Sequence, residues 1–365
     1  MGINIFKELL NKLEAKEKVA MVTITESSSI PELIGEKFLI NEDDNSIIDF
    51  SSKLLAIDDL EKIVNKALEG LSKGEIEKHE LELKENRESI EIVVEPYLPQ
   101  PRLIILGGGH VGQALYNFAK ELDFELIIVD DRPYFANWNL FSEAERVICI
   151  GFGEFLTKIE VKEADYIIIA TRGHKHDYTC LKQVLDSKAR YIGMLGSKRK
   201  VTSIFDKLQE EGYSQKVLER IKAPIGLDIG SETPEEIAIS ILAEVIKVRR
   251  EEEGINNIIG EEAIRFLSDY QGEYECLALA TIIKTSGSTP RNTGSKMTIL
   301  PDGRIFGTVG GGCGEAEVRQ KALEVINGRL DSFVHNIDLS NELAAEEGMI
   351  CGGKMEVFIE RLILC

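Results

Sequence analysis

The chain has 365 residues, more than one hydrophobic core comfortably serves, so two or three domains are expected. Its net charge of −20 argues against nucleic acid or an anionic membrane as a main partner, because both would repel it. Hydrophobic residues make up 43% and charged residues 29%, the balance of a soluble globular protein, and no apolar run approaches the ~20 residues of a membrane helix.

The first segment, 1–97, opens with a charged amphipathic helix, "MGINIFKELLNKLEAKEK", which lacks the layout of a secretory signal and predicts a cytoplasmic protein. A β-rich stretch "KVAMVTIT", a turn-rich loop "ESSSIPELIG" and a strand "KFLI" follow. The next helix, "DDLEKIVNKALEGLSKG", is apolar at Leu60, Ile63, Val64, Ala67 and Leu68, which is helical spacing. An alternating strand, "SIEIVVEPY", closes the segment before the Pro-rich joint "LPQPR".

Residues 98–250 alternate short apolar strands with helical sequence: "RLIILG", "ELIIVDD", "RVICIG", "DYIIIAT" and "RYIGMLG". That pattern predicts a Rossmann-like, doubly wound parallel sheet in an α/β protein. Its last helix starts at "SETPEE", with Thr233 as N-cap, Pro234 at the first helical position and Glu236 closing a capping box.

Residues 255–365 run helix, strand "CLALATIIKT", loop "SGSTPRNTG", strand "KMTIL", turn, strand "RIFGTVG", helix, and strand "KMEVFIERL". This repeats the first segment. Ser27, Ser29, Pro31, Gly35, Lys37, Ile40 and Asp43 each recur as the identical residue 259 positions later. "NKALEG" echoes "QKALEV", and "IEIVVE" echoes "MEVFIE". An internal duplication of an α+β module is the simplest reading. The first copy lacks Arg291, the run "GTVGGGC" and the stretch "CGG", so it is the degenerate one and chemistry is expected in the second.

Several stretches carry chemistry. "GGGHVG" is G-x-G-x-x-G on Gly107, Gly109 and Gly112, between a strand and a helix, with His110 beside the glycines as a further cofactor-binding candidate. Its glycines suit a tight turn, a close pyrophosphate and helix–strand packing. Asp130, at the end of the next strand, stands where an acid binds ribose hydroxyls. The loop "TRGHKHD" places Arg172, His174, His176 and Asp177 at the ligand-binding edge of the sheet, and Lys198, Arg199 and Lys200 add an anion-friendly rim. The same fold can also stand as a scaffold with no dinucleotide.

In the last segment, "SGSTPR" offers Ser288 and Arg291, and "GTVGGGCGEAE" offers the backbone N–H groups of Gly310, Gly311 and Gly312 as a nest for an anion. Cys313 then lies at the mouth of a helix, where the helix dipole favours a thiolate, while Glu315 and Glu317 oppose it. A second thiol, Cys351, stands before Gly352 and Gly353. The six cysteines are scattered with no C-x-x-C, against a disulfide framework or a structural zinc site. Either thiol alone reads as a small packed residue, but glycine runs beside both point to function.

Together "GSTPR", "GTVGGGC.E", "CGGKMEVFIE", "GGGHVGQAL", "VDDRPYFAN", "TRGHKHD", "YIGMLGSKRK" and "PIGLDIGSETPEEIAISILAE" resemble the xanthine dehydrogenase accessory factor (XdhC/CoxI) family, over about 98–250 and 275–361. The resemblance implies a chaperone rather than a catalyst. Such a protein binds molybdenum cofactor, as molybdopterin or its nucleotide form, promotes its sulfuration with a cysteine desulfurase, and hands it to a molybdenum hydroxylase apoenzyme. On that resemblance Cys351 and Cys313 are the candidate thiolates for molybdenum or transient sulfur. Ser288, Arg291, the glycine loop, Gly352 and Gly353 are the candidate cofactor cradle. The usual order in the family puts the complete module first; here it trails the Rossmann segment, as a circular permutation would leave it. A homodimer is expected. Two alternatives stand beside this reading: an NAD(P)-dependent oxidoreductase using Gly107, Gly109, Gly112 and Asp130, with a histidine such as His174 as the acid–base group, and an adaptor that holds no cofactor.

Overall fold

The computed structural model describes residues 4–42, 44–48, 55–84, 89–252, 261–338 and 352–363. The chain divides into two compact units, one made of Met1–Pro99 with Glu253–Cys365 and the other of Gln100–Glu252.

The composite unit begins with α1 (Asn4–Glu14), β1 (Val19–Ser27), a 3-10 turn at Pro31–Leu33, β2 (Lys37–Asn41), β3 (Ile47–Ile48), α2 (Ile57–Lys73), β4 (Glu77–Glu82) and β5 (Ser89–Tyr97). Its sheet has the order β3-β2-β1-β5-β4 and pairs antiparallel. The period of β1 explains how both its faces are buried. Ala20, Val22 and Ile24 pack with Ile63, Ala67 and Leu71 of α2, while Val19 and Met21 pack with Ile5, Phe6 and Leu9 of α1. Helix α2 stops where Gly74 takes φ 67°, a left-handed cap that costs glycine little.

The second unit comprises β6 (Arg102–Leu106), α3 (His110–Ala119), β7 (Glu125–Asp130), β8 (Arg146–Cys149), β9 (Tyr166–Ile169), α4 (His174–Val184), β10 (Tyr191–Met194), α5 (Lys198–Glu210), α6 (Gln215–Leu218), β11 (Ile221–Lys222) and α7 (Pro234–Glu252). Its sheet is parallel in the order β11-β10-β9-β6-β7-β8. Leu103, Ile105 and Ile128 face α3 and α7 on one side; Ile104, Leu106 and Val129 face α4 and α5 on the other. This is the expected doubly wound sheet, and its order reverses between β6 and β9, where such folds place ligands. The capping box opens α7 as expected: Thr233 N–H donates to Glu236 at 3.0 Å and Glu236 N–H to Thr233 Oγ1 at 3.3 Å.

The chain then returns to the composite unit through α8 (Glu261–Asp269), β12 (Cys276–Ser286), β13 (Lys296–Ile299), β14 (Ile305–Gly307), α9 (Gly312–Ile326), β15 (Phe333–Asp338) and β16 (Lys354–Ile363). The sheet order β14-β13-β12-β16-β15 repeats the first sheet element for element. Even the irregularities repeat. Register slips between Ile24 and Glu26 in β1 and between Ile282 and Lys284 in β12. Gly35 and Gly294 both take φ 90°, and donate to the carbonyls of Ile24 and Ile282 at 2.8 and 2.7 Å. The α+β module is duplicated.

The two copies share one apolar cluster, in which Val19, Met21 and Leu39 meet Leu277, Leu279 and Leu362 together with α1 and α8. Two buried ion pairs also join the copies, Lys37 to Glu360 at 2.8 Å and Lys296 to Glu95 at 2.5 Å. Each lysine also donates to a threonine of its own sheet, Lys37 to Thr23 at 3.1 Å and Lys296 to Thr281 at 3.2 Å. Lys37 and Lys296 are equivalent in the duplication, as are the glutamates that end "IEIVVE" and "MEVFIE". The pairs are therefore two halves of a pseudo-two-fold interface. Burial pushes the Glu360 carboxyl above its ordinary range despite Lys37, and pushes Lys296 below its own despite Glu95.

Candidate functional site

Three glycine-bearing segments converge at one end of the second module's sheet. Strand β12 runs out into "SGSTPR", β14 into "TVGGGC", and β16 is entered through Gly352 and Gly353. A Cβ on Gly353 would lie 2.5 Å from the Ser288 carbonyl oxygen and 2.7 Å from Thr289 Cγ2. One on Gly310, at φ 129°, would lie 2.5 Å from Pro290 Cγ and 3.6 Å from Arg291 Cγ. The chain lies this close only because these residues lack side chains. The convergence assembles Ser288, Arg291, Gly310, Gly311, Gly312, Gly352 and Gly353 around one mouth.

Among the described residues, nothing lies within 4 Å of where a Cβ would stand on Gly311 or Gly352, so these two glycines face open space. Ser288, Arg291 and Cys313 are exposed, Cys313 in the first turn of α9. Cys351 lies outside the described residues. A cavity of about 410 Å³ adjoins the mouth, lined by Lys284, Thr285 and Ser286 of β12, Asn336 and Asp338 of β15, and Lys354 of β16.

The glycine loop differs from the open nest expected of it. One carboxylate oxygen of Glu315 accepts from the Thr308 hydroxyl, from Val309 N–H at 3.2 Å and from Gly311 N–H at 3.2 Å. Gly310 N–H in turn donates to Thr308 Oγ1 at 3.0 Å. The reason is helical geometry: Glu315 lies one turn after Gly311, so its side chain reaches back over the loop that starts α9. Gly312, Cys313 and Gly314 form the first turn of α9, directly after this loop. Thr308 is the residue sequence reasoning missed, together with the reach of Glu315 back over the loop; the four-residue step from Gly311 to Glu315 is the signal for that reach.

In the second unit, Gly107 takes φ 125° and a Cβ there would meet Ala170 O at 2.3 Å. A Cβ on Gly112 would meet Gly107 O at 2.0 Å, and one on Gly108 the Phe135 carbonyl oxygen at 2.1 Å. These are packing glycines, whereas Gly109, just before the exposed His110, has open space beside it. Asp130 is fully buried, and its carboxylate is already engaged rather than presented to a ribose. It accepts from Gly108 N–H at 2.9 Å, Arg132 N–H at 3.0 Å, and the Arg132 guanidinium at 2.8 and 2.9 Å. Burial would raise its pKa, but the Arg132 and Gly108 donors outweigh burial and hold it below the ordinary carboxylate range.

Two cations of the rim, Arg172 and Lys200, are likewise internally paired. Arg172 forks onto Asp131 at 2.7 and 2.8 Å. Lys200 pairs with the buried Asp177, which also accepts from Thr171 Oγ1 at 2.7 Å. His174 and His176 are not in a loop: Gly173 is the extended N-cap, and both histidines lie in the first turn of α4. Two residues apart on a helix they point to different sides. His174 is exposed, while the His176 ring packs edge-on to Phe152 at 5.4 Å. Among the described residues no cluster of three or more His, Cys, Asp or Glu side chains could hold a metal ion.

Two family models match this chain. The XdhC Rossmann domain matches residues 103–245, and the XdhC and CoxI family model matches 272–335. Together they take in more than half of the residues and every quoted motif except "CGGKMEVFIE", which lies beyond 335. The chain belongs to the XdhC and CoxI family. In this XdhC and CoxI protein the Rossmann match precedes the other, the order read from the motifs. Among curated relatives, a probable xanthine dehydrogenase subunit of Bacillus subtilis is 32% identical over 152 residues, 42% of this chain and 44% of its own. "Molybdenum cofactor insertion chaperone PaoD" of Escherichia coli is 32% identical over 87 residues, 24% of this chain and 27% of its own. The chain thus spans less than half the length of either relative. A solved structure described as a xanthine dehydrogenase from Bacillus halodurans aligns with TM-score 0.40 and 21% identity over 69% of this chain and 96% of its own. Among the described residues no helix is long and apolar enough to cross a membrane.

Proposed function

We propose that this XdhC and CoxI protein is an accessory chaperone that binds molybdenum cofactor and inserts it into a molybdenum hydroxylase such as xanthine dehydrogenase. The observation that carries the proposal is the packing of Gly353 on Ser288 and of Gly310 on Pro290, which gathers all three family glycine segments at one mouth. The names of two relatives, one for molybdenum cofactor insertion and one for xanthine dehydrogenase, support the same reading.

The residues at the mouth fit such a cofactor. Its phosphate calls for cationic and N–H donors, and Arg291, Ser288 and the amides of the glycine loop supply them. A side chain at Gly311 would stand in the open space of the cradle. This reading assigns the thiols of Cys313 and, by its place in the family motif, Cys351 to the metal end, which supplies the oxo and sulfido chemistry when bound. We place sulfuration with a cysteine desulfurase as the preceding step and a homodimer in the cytoplasm as the working form. A dinucleotide would find Asp130 taken by Arg132 and Gly108, so the oxidoreductase reading gains no support from that residue.

The test is retention of molybdopterin by purified protein and its loss in Cys351→Ala, Cys313→Ala and Arg291→Ala, with folding checked by thermal melting. Unchanged affinity in all three variants would sink the assignment of these residues.

A further inference from the structure

The glycine loop of the second module already holds an anion, and that anion is its own. One oxygen of Glu315 accepts from the Thr308 hydroxyl and from the amides of Val309 and Gly311. These are the kinds of donor a phosphate oxygen would seek at this loop. Glu315 is only half-buried, so it reaches the loop from a position open to solvent. The duplicated module supplies a natural comparison. Aligning "NKALEG" with "QKALEV" puts Leu60 at the position of Glu315, and the first copy has no glycine run either. Loop and carboxylate are present together or absent together. Folding of the module does not demand either, since both copies share one sheet order.

We infer that Glu315 is a displaceable stand-in for the ligand's anionic group, keeping the glycine cradle closed until a phosphate-bearing ligand takes its place. The inference rests on the cofactor reading of this site and adds its regulation. A second anion cannot share the donors with Glu315: two negative groups at contact distance repel, and each needs the same N–H groups. Binding therefore requires the Glu315 side chain to swing away into solvent, and release lets it return. The ligand is expelled by the residue that replaces it, which suits a protein that must give its cargo up. Removing the charge at 315 while keeping an acceptor separates this role from loop support. A glutamine holds the loop but competes poorly with a phosphate.

The experiment titrates inorganic phosphate into the full chain and follows the amide resonances of Val309 and Gly311, in wild type, Glu315→Gln and Glu315→Ala. Molybdopterin retention is measured on the same three proteins. The expected result is phosphate binding tighter on the order of 10-fold in Glu315→Gln than in wild type. In the free proteins the two amides are protected from exchange in wild type and lose protection in Glu315→Ala. If Glu315→Ala distorts the loop, Glu315→Gln still reports the competition. Equal or weaker phosphate binding in Glu315→Gln overturns the inference and makes Glu315 a support of the loop. Wild type that retains molybdopterin while no variant gains phosphate affinity fails the inference and leaves the chaperone reading intact. Tighter phosphate binding in Glu315→Gln with no molybdopterin in any protein upholds the stand-in and fails the chaperone reading.

Discussion

Lys37 and Glu360, from strands near opposite ends of the chain, form a 2.8 Å ion pair inside the composite unit, and Lys296 with Glu95 mirrors it. Desolvation makes such pairs poor sources of net stability, yet losing one partner strands a buried charge. Glu95→Ala and Glu360→Ala should each destabilise the composite unit by about 3–5 kcal/mol. The double change Lys37→Met with Glu360→Leu should recover most of that loss, because it leaves no charge behind. Calorimetry with separate transitions for the two units measures both. A double variant as unstable as the single one would contradict the account.

The packing glycines and the open ones should behave in opposite ways. Gly112→Ala drives a methyl to 2.0 Å from the Gly107 carbonyl oxygen and Gly353→Ala one to 2.5 Å from that of Ser288, so each should cost about 1–3 kcal/mol. Gly109→Ala meets open space and should change the melting temperature little. Thermal unfolding of the three variants is the check.

Asp130 predicts an acid-sensitive contact in the second unit. Its folded pKa lies below the ordinary value of 3.8, so its stabilisation is fully present above that value and is lost as pH falls through the folded pKa. At pH 7, Asp130→Asn should destabilise the unit by about 2 kcal/mol through loss of charge-assisted hydrogen bonds. The gap between wild type and variant should close as pH drops below 3.8. A gap that stays constant down to strongly acid pH would show that the charge of Asp130 does not matter.

Thiol reactivity should follow burial. Cys180 is fully buried, and its thiol is pushed far up by desolvation and then by Asp177. Cys149 and Cys313 are exposed. Iodoacetamide at neutral pH, read by peptide mass spectrometry, should label Cys149 and Cys313 in the folded protein and leave Cys180 unmodified. Early labelling of Cys180 would mean the packing of α4 on the sheet is looser than described.

Much of the fold is legible because it is local. Strand alternation, the parallel-sheet pattern and the capping box at Thr233 and Glu236 depend on neighbours a few residues away. The duplication shows in Lys37 and Lys296 as a repeated letter, but their partners do not. Glu360 and Glu95 come from the other copy, and no local pattern says which acid a buried lysine will find. The same limit hides the state of Asp130: its place after β7 is right for a ribose acceptor, yet whether Arg132 folds back onto it is decided by the loop that packs Phe135 on Gly108. His174 and His176 read as loop residues because Gly173 and the charged residues beside it mask the start of α4. At the glycine loop the sequence names the right residues, and what it hides is that Glu315 reaches back to fill the loop.

The most direct measurement is the molybdenum and pterin content of the purified chain after incubation with cofactor released from a molybdenum hydroxylase, for wild type and for Arg291→Ala, Cys313→Ala and Cys351→Ala. The account predicts that wild type retains molybdopterin through gel filtration and that the variants retain markedly less while melting normally. Wild type that emerges free of pterin and molybdenum would contradict it.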